Sequence, residues 1–414
     1  MSDTVETPVL SGTTPGIPQP KPQPGRRLMS LDALRGFDMF WITGGDSFFQ
    51  ALATALPVAP LMVLHQQLDH KAWQGLAFYD LIFPLFVFIV GVSIVFSLSR
   101  VLEQGGKKAA VKRILVRGLL LYLIGVFLYG GISKGFDNIR WLGVLQRIAI
   151  CYTCAALIFL VFRVRGMAII CVSVLLGYWA VTQFVPVRNF NLQTAQLKAR
   201  GLEPRSEETR RLFLATTDRV TGKYEDGLNL PNHVDYLYLP GFKWDGAYDP
   251  EGLLSTPAAV VTCLLGVFAG LYLRNHSASD QRKAAVLAGV GLAGVALGFL
   301  WGLQFPVIKK IWTSSYVLVA AGYSCIFLAI FHQVVEVWGW RKWCTPFVWI
   351  GMNAITIYIA VHVVKFETVA RLFVGGPVEQ GLGRAGQLAV SAVALVFVFA
   401  LVRFLYNRKI FLRL

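Results

Sequence analysis

The stretch Tyr79-Asp80-Leu81-Ile82-Phe83-Pro84-Leu85-Phe86-Val87-Phe88 decides how this chain folds. It opens an apolar run over 76–98, the length a helix needs to cross a bilayer. Asp80 stands at the start of that run and His70 lies just upstream, in His70-Lys71-Ala72-Trp73-Gln74-Gly75-Leu76. A carboxylate at the edge of hydrocarbon needs a partner or a wet cavity. An imidazole beside it is suited to act as general base or nucleophile.

Working outward, similar runs recur over the whole chain. The 414 residues are 55% hydrophobic, with a mean hydropathy of +0.57. That exceeds the apolar share of soluble domains. Apolar stretches at 31–55, 76–98, 113–132, 140–162, 166–186, 254–273, 283–303, 312–335, 345–364 and 386–407 predict an all-α, polytopic membrane protein of about ten transmembrane helices. The first stretch is the most polar, holding Asp32, Arg35, Asp38 and Asp46.

The net charge of +16 would suit nucleic-acid binding in a soluble protein, but its distribution argues for a lipid bilayer as partner instead. Basic residues gather in alternate connections. Arg100, Lys107, Lys108, Lys112, Arg113 and Arg117 flank the second, Arg163 and Arg165 the fourth, Arg274, Arg282 and Lys283 the sixth, and Arg341 and Lys342 the eighth. Under the positive-inside rule these connections and both termini are expected in the cytoplasm. The six cysteines lie in or beside apolar stretches. Cys151 and Cys154 have metal-like spacing but no ligand-type neighbours, so no metal and no disulfide framework is expected.

Residues 1–28, rich in Pro, Thr and Gly, read as a disordered cytoplasmic tail without a cleavable signal. The membrane domain is expected over 29–414. Its longest connection, at about 187–253, is predicted outside. No internal repeat is evident, which weighs against an inverted-repeat transporter.

Several polar residues in or near the apolar stretches are candidates for a site. Asp80 and Arg147 fall at similar depth in the outer half and are expected to pair or share a network. Such a pair either serves chemistry or only fixes helix packing. Asp32, Arg35 and Asp38 share one helix face, so Arg35 either bridges these carboxylates or meets phosphates at the cytoplasmic side. Asp46 follows Gly44-Gly45, where the glycines permit a break. His362 is expected near the outer end of its helix, with Asn353 deeper, so that His70 and His362 face one outer cavity. Asp249-Pro250-Glu251 reads as a helix start that also supplies carboxylates to a ligand. Trp244 offers an aromatic face to a sugar, and Ser314 and Ser315 offer hydroxyls, unless these bond the helix itself.

These residues occur in an order that resembles the heparan-α-glucosaminide N-acetyltransferase family, including its bacterial relatives of unknown substrate. The landmarks are Ser30-Leu31-Asp32-Ala33-Leu34-Arg35-Gly36, then His70 with Trp73 and Gly75, and Asp80 with Phe83-Pro84. Gly143-Val144-Leu145-Gln146-Arg147, Ala247-Tyr248-Asp249-Pro250-Glu251-Gly252, Ser314-Ser315-Tyr316-Val317 and Gly351-Met352-Asn353-Ala354 follow. The resemblance implies acetyl transfer from cytoplasmic acetyl-CoA, as co-substrate, to an amino sugar outside. It gives His70 the role of base or acetyl carrier, assisted by Asp80 and supported by Arg147, Asp46, Asn353 and His362. Asp249, Glu251, Trp244, Ser314 and Ser315 become candidates for the acceptor, and Arg35, Arg113 and Arg117 for CoA phosphates. It also implies a bacterial inner-membrane location and a homodimer. The family's asparagine upstream of the histidine has no counterpart between Gly44 and His70. Two other readings stay open: a transporter of sugars or peptidoglycan fragments, and an O-acyltransferase of an envelope glycan.

Overall fold

A computed structural model describes residues 28–412; the Pro-rich tail expected over 1–28 lies outside them except for Leu28. The membrane part is built from helices, as the apolar stretches predict. The chain opens with α1 (Met29–Phe40), which passes through a widened turn at Trp41–Gly45 into α2 (Asp46–Ala55). Gly44, at φ 119°, takes the backbone where a side chain would strain it. The stretch at 31–55 is therefore one helical element with a local break, placed where its glycines allow it. A short α3 (Ala59–Leu68), not foreseen, then leads to the segment carrying His70.

The next element, α4 (Ile82–Leu128), carries two of the expected stretches and turns back on itself at Gly106, φ 69°. Its neighbours α5 (Val144–Val161) and α10 (Thr256–Leu273) reveal the turn. Along the first half, Gly91 abuts Cys263 and Val267, and Ser99 and Glu103 bond Arg274, so this half runs parallel to α10. Along the second half, Gly118 abuts Ala149 and Thr153 while Gly125 abuts Leu145 and Gln146, so that half runs antiparallel to α5. Since α5 and α10 are themselves parallel, with Arg147 on Ser255 and Cys151 near Cys263, α4 is a helical hairpin. The contacts are close because the residues are small. A Cβ on Gly91 would sit 1.9 Å from the Cys263 carbonyl oxygen.

Between them in the chain lie α6 (Val164–Phe184) and a long connecting segment with a core of its own. That segment contains α7 (Thr194–Ala199), α8 (Glu207–Ala215) and α9 (Leu230–Tyr238). Two short antiparallel strands, β1 (Val187–Arg188) and β2 (Arg219–Val220), tie it down. Phe190, Leu192, Leu197, Leu202 and Phe213 pack with Ala247 and Tyr248, so the long connection is a folded cap. The bundle is completed by α11 (Asp280–Gly302), α12 (Ser314–His332), α13 (Thr345–Met352), α14 (Ala354–Val364), α15 (Phe366–Val374), α16 (Pro377–Gly381) and α17 (Gly386–Asn407).

Among the described residues seven helical stretches are long and apolar enough to cross a membrane, or eight if α13 and α14 count as one. One of the seven, Phe78–Ser133, holds the α4 hairpin. The stretch at 345–364 is not a straight helix: α13 and α14 meet at Asn353 with an 80° bend. Nor does a helix start at Asp249-Pro250-Glu251. That run forms a turn, and α10 begins at Thr256, with Pro257 in its first turn where a missing N–H is harmless.

Candidate active site

Asp80 is the hub of the site. It lies in the short turn Phe78–Leu81 that starts α4 and is 1% exposed. Its two oxygens collect four donors. Oδ1 accepts from His70 Nδ1 at 2.8 Å and from Lys309 Nζ at 3.3 Å. Oδ2 accepts from the backbone N–H groups of Lys71 at 3.2 Å and Ala77 at 3.0 Å. The carboxylate thus staples the loop 70–77 around itself, and its lone pairs are satisfied in a place where an unpaired charge would be costly. Tyr316 of α12 donates to the Asp80 carbonyl at 2.7 Å and fixes the turn from the opposite side.

A carboxylate can only accept, so the bond to Asp80 puts a proton on His70 Nδ1 and leaves the Nε2 lone pair free. The imidazole side chain is about half exposed (52%), and its ring lies against Tyr79 at 4.8 Å. Tyr79 in turn donates to Asp46 Oδ2 at 2.7 Å. The structure therefore joins Asp80, His70, Tyr79 and Asp46 in one chain of contacts, with the His70–Tyr79 link made ring against ring. Asp46 reaches this position because the break at Gly44 redirects the helix that carries it.

Lys309 was not foreseen as a site residue. It lies on the connection between α11 and α12, which pairs with the His70 loop through Gly75 N–H to the Val307 carbonyl and a bridge between Gln74 and Ile308. Trp312, in the left-handed region at φ 48°, turns this connection back so that Lys309 faces Asp80. Burial pushes the Lys309 pKa below its ordinary value, against the pull of Asp80. A lysine pair, Lys309-Lys310, in a connection expected to be external runs against the positive-inside trend, and that was the available signal.

Arg147 does not pair with Asp80. It bonds Ser255 Oγ at 2.5 Å and the Gly252 carbonyl at 3.1 Å, and stacks over Trp312 at 5.1 Å. The expected pairing assumed that the two side chains point towards each other around their helix axes, and they do not. The carboxylates Asp249 and Glu251 have a different cation as well. Arg140 bonds Asp249 Oδ1 and Oδ2 at 2.8 and 3.0 Å and Glu251 at 2.6 Å, all buried. Burial and the neighbouring Asp249 push the Glu251 pKa up to about 7, although Arg140 opposes this. Burial would lower the Arg140 pKa, but its bond to Asp249 and the charge of Glu251 hold it above the usual value. Asp249 and Glu251, expected as acceptor-site candidates, thus lie in a buried ion cluster with Arg140.

Ser314 and Ser315 are also structural. Both are fully buried, Ser314 bonding the Leu175 carbonyl at 2.8 Å and Ser315 the Pro306 carbonyl at 3.2 Å. His362 bonds the Tyr358 carbonyl on its own helix at 2.8 Å, so the shared cavity expected for His70 and His362 is not formed by any contact described. Asn353 donates to the Trp349 carbonyl, while its buried Oδ1 faces the bend without a partner. Trp244 remains exposed (60%), its ring over Arg140, and with Tyr129, Asn138 and Phe242 it lines an open cavity of about 660 Å³. Arg35 is held by Ser93, the Gly351 carbonyl and Asp32, Arg117 lies over Tyr152, and Arg113 is exposed. Among the described residues no three His, Cys, Asp or Glu side chains gather as a metal set would.

The cap closes over this region. Trp73 donates to the Tyr224 carbonyl at 2.6 Å, and Lys310 pairs with Asp245 at 3.0 Å. The arrangement offers a general base or nucleophile with a fixed tautomer, a cation beside it, and a half-exposed ring.

Comparison with known proteins adds an independent finding. Residues 27–211 match the family model for the catalytic region of heparan-alpha-glucosaminide N-acetyltransferase. Heparan-alpha-glucosaminide N-acetyltransferase of Homo sapiens is 30% identical over 93% of this chain, and that of Mus musculus 30% identical over 72%. The alignments cover 59% of the human protein and 49% of the mouse protein, so the chain spans about half the length of these relatives.

Proposed function

We propose that this chain, which is similar to the heparan-alpha-glucosaminide N-acetyltransferases over most of its length, is an acetyl-CoA-dependent acetyltransferase of a bacterial cytoplasmic membrane, moving acetyl to an amino sugar on the external face. The observation that carries this reading is the His70–Asp80 pair at 2.8 Å, half open to solvent, with Nε2 unengaged by the carboxylate.

Two routes use that nitrogen. As a base, Nε2 takes the proton from the amine as it attacks the thioester carbon, and CoA leaves as thiolate. As a carrier, Nε2 attacks the thioester carbon itself, CoA thiolate leaves, and the amine then displaces the imidazole. In both, Asp80 keeps the tautomer and stabilises the cationic ring. The nucleotide of CoA would approach from the basic face near Arg113 and Arg117, with the pantetheine arm reaching between helices. The acceptor would enter beneath the cap, where Trp244 and Phe242 offer aromatic faces.

The test is release of CoA thiol by detergent-purified protein given acetyl-CoA and glucosamine, for wild type and His70→Ala. The expected result is turnover that requires the amine and falls on the order of 10²–10⁴-fold in the variant, with an unchanged melting temperature. A folded wild type that releases no CoA across a panel of amino sugars would sink the proposal. N-acetylglucosamine serves as control: acceptance of this sugar would indicate O-acylation.

A further inference from the structure

We propose that Lys309 is a catalytic residue: its ammonium stands where the carbonyl oxygen of an acyl group under attack at His70 gathers negative charge. The inference rests on the reading of His70 as the reacting base or nucleophile, and names the group that reading leaves out.

Lys309 Nζ lies 3.0 Å from His70 Nδ1 and 3.4 Å from Nε2. An ammonium this close to both ring nitrogens stands over the ring, not in its plane. It therefore cannot take the in-plane Nε2 lone pair, and Nδ1 already carries the proton given to Asp80. Of the three N–H donors on Nζ, one meets Asp80 Oδ1 at 3.3 Å, which leaves others free to bond an incoming oxygen. When Nε2 attacks an acyl carbon, or an amine held against Nε2 does so, a C–N bond forms and the carbonyl π pair moves to oxygen. Collapse of that oxyanion expels the thiolate. A cation over the ring, 3.4 Å from the attacking nitrogen, is near enough to bond that oxygen and stabilises the charge only while it exists.

The surroundings hold the lysine for this task. Trp312, at φ 48°, Tyr316 on the Asp80 carbonyl, and the bridge between Gln74 and Ile308 fix the two loops against each other. The charged and titratable groups facing the pair are Asp80 and Tyr79 on the His70 side, Lys310 on the lysine's own connection, and Glu251 before α10. Because burial lowers the Lys309 pKa, loss of its charge is expected to contribute an alkaline limb to the rate profile.

The experiment treats the full chain with diethyl pyrocarbonate, which acylates imidazole through the same kind of oxyanion. Mass spectrometry follows His70, with His65 as internal reference, at about pH 8.5, above the ordinary imidazole range. Lys309→Met is expected to slow His70 at least about tenfold relative to His65, and Lys309→Arg to restore most of the rate. Lys309→Gln, which keeps a donor for Asp80, replaces the methionine variant should that fail to fold. Equal His70 rates in wild type and the uncharged variant overturn the proposal. In CoA release, the uncharged variant should lose about 10²–10³-fold in kcat with little change in KM for acetyl-CoA. The arginine variant should lose the alkaline limb; superimposable limbs count against the lysine. A wild type without CoA release would sink the acetyltransferase reading alone, since the carbethoxylation rates still decide the role of Lys309.

Discussion

At the scale of single residues, Asp80 shows why one carboxylate can be both structural and chemical. It satisfies two side-chain donors with one oxygen and two backbone donors with the other. Asp80→Asn can present only one acceptor oxygen, so whichever way the amide turns, its NH₂ faces donors. This variant is expected to lose turnover by about 10²-fold or more, and also to lose roughly 1–3 kcal/mol of stability as loop amides go unpaired. His70→Ala, by contrast, removes a half-exposed ring and should leave thermal unfolding unchanged. Activity and melting temperature measured on both variants separate the two roles; equal melting temperatures would show that the loop does not depend on Asp80.

At the scale of elements, the bundle depends on close backbone approach more than on large interlocking side chains. Gly91 on α4 and Gly266 on α10 each face the other helix's carbonyls, at 1.9 and 2.0 Å from where a Cβ would stand. Lipid supplies little drive for helix association, so such small-residue contacts matter more than in water. Gly91→Ala is expected to force these helices apart and cost at least about 1–3 kcal/mol. Gly177→Ala on α6 meets nothing within 4 Å and is expected to be neutral or to stabilise by up to about 1 kcal/mol through helix propensity. Melting temperatures in detergent check both. If the two variants behave alike, the α4–α10 approach is looser than described.

At the scale of the whole molecule, the cap is tied to the membrane bundle by buried charge. Asp235 of α9 accepts from Leu253 N–H at 2.8 Å at the entrance to α10, and burial pushes its pKa up to about 7. Its folded pKa lies above that of an unfolded aspartate, so the folded state binds the proton more tightly. The penalty for ionising it is absent at low pH and grows as pH rises from about 4 towards 7. Buried His233 works in the opposite sense. Its pKa is lowered to about 4, so its contribution is present above the unfolded imidazole range and lost as pH falls. Asp235→Asn keeps an acceptor oxygen and cannot ionise. It is expected to raise the melting temperature relative to wild type at about pH 8, with the difference shrinking at about pH 5. A difference independent of pH would mean that the Asp235 pKa is not raised in the folded cap, its carboxylate being ionised there as in the unfolded chain.

The sequence by itself determined the helical membrane class and the positions of the apolar stretches, and it set His70 close enough upstream of Asp80 for one loop to join them. Those properties are local: a run of apolar residues has few alternatives to a spanning helix, and a histidine just upstream of a carboxylate needs only one loop to reach it. The folded cap, the break before Asp46 and the bend at Asn353 were only partly legible, through glycines and a long polar connection. Tertiary structure alone decided which cation joins the site. Arg147 was expected to meet Asp80, but rotation about the helix axis sends the arginine to Ser255 and Gly252. The left-handed turn at Trp312 instead brings Lys309 to His70 from a distant part of the chain. Hydropathy records how deep a residue lies; which residues meet depends on azimuth and on backbone turns, and these are settled when the helices pack.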